Sequence, residues 1–137
     1  MVLHRKRPFE SVNKTNKVSR ILKVQEFIDF FVLAEISQQP RYVRELDELM
    51  VKKLQGVGVN VSYMSKRLDF MEQEGYITRY WDNEDKRHNH YCKITDTGTE
   101  YFKKLLQSVP DKVNEALTFY KSLHNYIDKY GKINFIK

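Results

Sequence analysis

Apolar residues recur along this chain with two periods, and the changes of period mark its elements. From Val18 to Gln39, Ile21, Val24, Phe27, Ile28 and Phe31 fall on one helical face, which Phe30, Leu33 and Ala34 widen. That breadth predicts a first helix buried on two sides and ended by Pro40. Arg41 to Gln55 reads as a second helix with Val43, Leu46, Leu49, Met50 and Leu54 inward; two glycines in Gln55-Gly56-Val57-Gly58-Val59 then supply a turn. Asn60 is a good N-cap for a third helix whose Val61, Met64, Leu68 and Met71 face inward, and Gly75 stands at its stop. At Tyr76 the period drops to two: Ile77, Arg79 and Trp81 alternate with Tyr76, Thr78 and Tyr80. Asp82-Asn83-Glu84-Asp85 is a turn cluster, and His88 to Ile94 alternates again. Thr97-Gly98-Thr99-Glu100 fits a capping box, with Thr97 as the cap, for a helix reaching Gln107 with Phe102, Leu105 and Leu106 apolar. Pro110 punctuates the chain there. A last helix, from Asp111 to Tyr130, carries Val113, Leu117, Tyr120, Leu123, Ile127 and Tyr130 at three-four spacing.

Helix, hairpin and helix in this order predict a mainly α fold with a small β-hairpin wing: a winged helix-turn-helix with a C-terminal dimerisation helix. Residues 1–17 are expected to form a flexible basic N-terminal arm, residues 18–107 the winged helix domain, and residues 108–137 the dimerisation helix and tail. The connection before the third helix exceeds the usual three to four residues of a helix-turn-helix. With its apolar residues inward, the third helix leaves Ser62, Tyr63, Ser65, Lys66 and Asp69 outward and Arg67 on the flank. Two hydroxyls, a phenol and two cations suit a major groove, where Lys or Arg bonds guanine and Ser or Tyr reaches phosphate. Any solvated helix face also carries lysine and arginine; the wing that follows is what favours DNA here. At the wing tip stand Lys86, Arg87, His88, Asn89 and His90. Arg87 is the cation expected at a minor groove, oriented by Asp85.

Several of these motifs also resemble a known family. Ser65-Lys66-Arg67-Leu68-Asp69-Phe70-Met71 with Gly75-Tyr76-Ile77-Thr78-Arg79 looks like the recognition helix and first wing strand of MarR-type regulators. Asp85-Lys86-Arg87 resembles their wing-tip element, and Ile94-Thr95-Asp96-Thr97-Gly98 the start of their next helix. Glu72-Gln73-Glu74-Gly75-Tyr76-Ile77 is similar to PadR-like proteins. The resemblance spans roughly Arg41 to Leu105 and implies a double-stranded DNA partner. PadR-like proteins dimerise through a C-terminal helix, which implies a homodimer.

Composition adds little but points the same way. The chain has 137 residues, one domain's worth, 41% of them hydrophobic, with a formal net charge of +6. That surplus favours a polyanionic partner. Arg5, Lys6 and Arg7 concentrate it in the arm, which either lies along DNA or serves as a solubilising terminus. The lone cysteine fits a reducing cytoplasm. The basic start lacks the apolar stretch of a secretory signal, and no apolar run is long enough to span a bilayer. His88, His90 and Cys92 share a strand face with Asp85 nearby, but the spacing matches no strong metal motif, so neither metal nor cofactor is expected. Paired catalytic groups and a nucleotide fingerprint are missing, and an enzyme is not expected.

The function expected is a dimeric transcriptional repressor that places helix 60–74 in the major groove and wing 76–94 at the minor groove. The alternatives are a plasmid centromere binder or replication terminator on the same fold, or a winged-helix protein-interaction module. Nothing in the sequence specifies a small-molecule effector.

Overall fold

A computed structural model describes residues 21–83, 85 and 90–131. Its elements run α1 (Val24–Gln38), β1 (Arg41–Tyr42), α2 (Val43–Lys53), α3 (Val61–Gln73), β2 (Ile77–Trp81), β3 (His90–Ile94) and α4 (Asp96–Gly131). The three strands form one antiparallel sheet in the order β1-β3-β2, with Ile77 opposite Ile94 and Trp81 opposite His90. Among the described residues, no helix is long and apolar enough to cross a membrane. The expected basic arm lies outside the described residues, as does the wing tip from Lys86 to Asn89.

The core lies where α1 meets α2, α3 and the sheet. Ile28 and Leu33 of α1 are fully buried with Leu46 and Met50 of α2, Leu68 and Met71 of α3, and Ile77 of β2. Leu105 and Val109 of α4 close it from the other side. Two acidic residues are buried within α1, Asp29 and Glu35. Glu35 receives Lys53 at 2.8 Å and Arg41 at 3.3 Å, so a carboxylate on α1 ties down both ends of the β1–α2 unit.

The local signals at α3 do what their chemistry demands. Asn60 Oδ1 accepts from the Ser62 amide at 2.8 Å and opens the helix. Gly75 takes φ +80°, which an L side chain resists, and the Tyr76 amide then reaches back to the Met71 carbonyl at 2.8 Å. The chain thereby leaves α3 directly into β2. Gly98 is needed for a different reason: a Cβ there would stand 1.9 Å from the Tyr76 carbonyl oxygen. The first turn of α4 therefore packs on backbone at the root of the wing.

Four expectations are corrected. Arg41 and Tyr42 pair with Cys92 and Tyr91 as a short strand before α2 begins; two residues are too few for a period to register. The start of α1 is Val24, because Lys23 is extended at the N-cap. Thr95 caps α4, not Thr97: its Oγ1 accepts from the Gly98 amide at 3.0 Å, while Glu100 pairs forward with Lys103. Finally, Pro110 does not break the chain, and α4 runs unbroken for 36 residues. Proline costs a helix interior about 3 kcal/mol. Here contacts on both sides offset it: Leu105 and Val109 are buried just before it, and Lys112 just beyond it reaches Glu26 of α1 at 2.5 Å. Partial burial works against ionisation of Glu26, but the Lys112 hydrogen bond, the Lys23 amide and the charges of both lysines together outweigh it and lower the carboxyl below its usual range. Replacing Pro110 with alanine is expected to raise stability by about 1–3 kcal/mol, read as a higher thermal midpoint.

Candidate nucleic-acid interface

The exposed side of α3 begins at its N-terminal turn. Ser62, Tyr63, Ser65, Lys66 and Asp69 are all exposed there. Val61, expected to face inward, is the first residue of the helix and is 67% exposed. Met64, Leu68 and Met71 alone anchor the inner face. The Ser62 hydroxyl donates to Asn60 Oδ1 at 2.7 Å, so its proton is already engaged in the cap.

The charges of α3 divide sharply. Arg67, expected to reach DNA from the helix flank, turns inward. Its Nε and Nη2 donate to the two carboxylate oxygens of Asp29 at 2.9 and 2.6 Å, and its guanidinium lies 4.2 Å over the Phe70 ring. The bond to Asp29 raises the Arg67 pKa. The pairing engages the guanidinium within the fold. It could not be foreseen from the sequence, since Asp29 sits among apolar residues thirty-eight positions earlier.

Asp69 and Glu72 are likewise engaged. Arg79 of β2 donates through Nη2 to both, at 2.7 Å each. Partial burial opposes the charge of Arg79, yet these hydrogen bonds prevail and raise its pKa. The clasp pins the wing strand to α3 and offsets one of the two negative charges that Asp69 and Glu72 carry. The alternation of β2 placed Arg79 on the Ile77 side of the sheet; only the fold shows what it meets there. Among the described residues, Lys66 is the charged residue of α3 that makes no ion pair.

The wing carries aromatic residues across its sheet. Tyr42, Tyr91 and Tyr80, one from each strand, stack at ring-centroid distances of 4.2 and 5.5 Å. The hydrogen bond between Tyr91 and Tyr42 pushes the Tyr91 hydroxyl up to about 12. His90 stacks on Trp81 at 4.1 Å, and Cys92, on the same strand, is fully buried. Burial pushes the Cys92 thiol up to about 12, which leaves it neither nucleophile nor ready ligand. No group of three metal-ligating side chains exists among the described residues. Of the wing-tip residues expected to meet DNA, Lys86, Arg87, His88 and Asn89 lie outside the described residues, and so do Arg5, Lys6 and Arg7 of the arm.

Residues 37–113, more than half of the chain, match the winged helix DNA-binding domain family. Solved structures agree on the fold. A transcriptional regulator from Clostridium thermocellum is 20% identical at a TM-score of 0.52, the match covering 83% of this chain and 97% of that one. The transcriptional regulator BldR from Sulfolobus solfataricus is 21% identical at a TM-score of 0.52, over 78% of this chain and 71% of that one. A PadR-like transcription factor from Bacteroides fragilis reaches a TM-score of 0.54 at 13% identity, covering 71% and 92%. At these identities the likeness is one of fold. No curated protein matches the chain.

Proposed function

Because the chain belongs to the winged helix DNA-binding domain family, we propose that it is a dimeric transcriptional regulator, a repressor that reads a pseudo-palindromic operator with two copies of α3. One observation carries the reading. Every other charge on α3 is engaged within the fold, while Lys66 stands exposed and unpaired among the described residues, beside Ser65 on the outer face. Lys66 and Ser65 meet base edges or phosphates, and Tyr63 reaches the backbone near the helix start, where the dipole favours phosphate. Arg87, and the arm residues Arg5, Lys6 and Arg7, contribute minor-groove and phosphate contacts in this scheme.

The dimer rests on α4. A helix of 36 residues is about 54 Å long at 1.5 Å per residue, and its C-terminal part leaves the body of the domain. Val113, Leu117, Tyr120, Leu123, Ile127 and Tyr130 remain exposed along it. A stripe of this length on one helix finds its partner in the same stripe of a second copy. The two α3 helices then lie about 34 Å apart, one turn of the duplex.

Lys66→Ala is expected to weaken binding to a selected operator by about 1–3 kcal/mol while leaving random DNA little affected, as measured by fluorescence anisotropy. An equal loss on both makes Lys66 a phosphate contact. A salt titration addresses the whole reading: affinity must fall with a log–log slope of about −0.9 per neutralised phosphate. A flat response would make this winged helix an adaptor for another protein.

A further inference from the structure

The flank of α3 is held by a buried carboxylate on another helix. Asp29 is 0% exposed, in the middle of α1. Three donors from two other helices converge on its carboxylate: Arg67 Nε and Nη2 from α3, and the Tyr101 hydroxyl from α4 at 2.6 Å. A buried carboxylate is tolerable only with such partners, and all three bonds are directional. Apolar contacts between α1 and its neighbours permit small sliding movements. A two-pronged arginine–carboxylate pair has one geometry. The donors are themselves held from behind: Tyr101 stacks on Tyr76 at 4.3 Å, and Arg67 is backed by the Phe70 ring. Burial, followed by the bond to Asp29, drives the Tyr101 pKa far upward, so this hydroxyl stays a donor at any working pH.

We propose that Asp29 is the positioning residue of the DNA interface: by gripping Arg67 and Tyr101 together, it fixes the angle of α3 to α4 and thereby the half-site spacing the dimer accepts. The inference rests on the reading of α3 as the groove-reading helix and of α4 as the dimer element. Its physical content is that Lys66, next in sequence to Arg67 and about 100° further round the helix, takes its direction from the bond its neighbour makes. Ion pairs of this kind add little stability over an apolar replacement and are better suited to selecting one pose.

The test compares wild type with Tyr101→Phe and Arg67→Lys on the full-length protein. Tyr101→Phe removes one hydroxyl, and Arg67→Lys keeps the charge but loses the two-pronged geometry. Each is bound to the selected operator, to versions with the half-sites one or two base pairs closer or farther apart, and to a single half-site. Thermal midpoints are recorded alongside. For Tyr101→Phe, half-site affinity should stay within about twofold of wild type, while preference for the optimal over the shifted spacing drops about three- to tenfold, the worth of one hydrogen bond. Arg67→Lys should lose more of that preference. An unchanged spacing profile in both variants overturns the proposal. So does a loss of equal size on half-site and full site, which would make the cluster merely structural. If wild type itself shows no spacing preference, the dimeric reading fails first, and this inference falls with it.

Discussion

Asp29→Ala is expected to cost the protein about 3–5 kcal/mol, the loss typical of breaking a buried ion pair from one side. The reason is the charge left behind. Arg67 cannot deprotonate, and its side chain is 19% exposed, so its guanidinium would stay largely buried with no counter-charge. Domains of this size are stable by only about 5–15 kcal/mol, so a large share of the total would vanish. Urea unfolding followed by circular dichroism measures it. A companion variant separates the two explanations for such a loss. Asp29→Leu with Arg67→Met and Tyr101→Phe removes every member of the cluster and keeps its volume, and it should recover most of the stability. If the triple variant is as unstable as Asp29→Ala, packing at this site, and not the orphaned cation, is responsible. If it recovers stability yet binds shifted operators as well as the optimal one, orientation is what the ion pair contributes.

The second large effect is expected at the far end of α4. Leu123→Glu together with Ile127→Glu should turn the proposed dimer into a monomer and reduce operator affinity by about 10²–10⁴-fold, the advantage that linking two weak binding events confers. Affinity for a single half-site should hold. Both residues are exposed in the protomer, at 39% and 55%, so the fold has little reason to suffer. Sedimentation gives the assembly state, and anisotropy on full and half operators gives the affinities. A variant that still sediments as a dimer would move the interface off this stripe.

Much of this molecule is legible in its sequence wherever one residue decides one local event. Asn60 as a cap, Gly75 as a stop in the left-handed region, and alternation over Ile77–Trp81 each rest on backbone chemistry within a few positions, and each appears where the pattern predicts it. What escaped depends on distance. β1 exists because β3 lies beside it, and two residues have no period of their own. α4 passes through Pro110 because Leu105, Val109 and Lys112 are held on α1, a fact about another helix. Arg67 looked like a surface cation because helices often show one; only folding brings Asp29 against it. The same distance effect hid Arg79, whose partners Asp69 and Glu72 are on a different element.

The uninterrupted course of α4 has a mechanical consequence. Its first turn rests on the Tyr76 backbone through Gly98 and caps through Thr95, whose amide donates to the Tyr76 carbonyl; its last turns carry the exposed apolar stripe. In the proposed dimer the same spar therefore roots the ribbon at one end and the mate at the other, with no loop between them to absorb a twist. A small roll where the two copies touch would swing each ribbon through an arc like an oar in its rowlock, and both blades would have to move together.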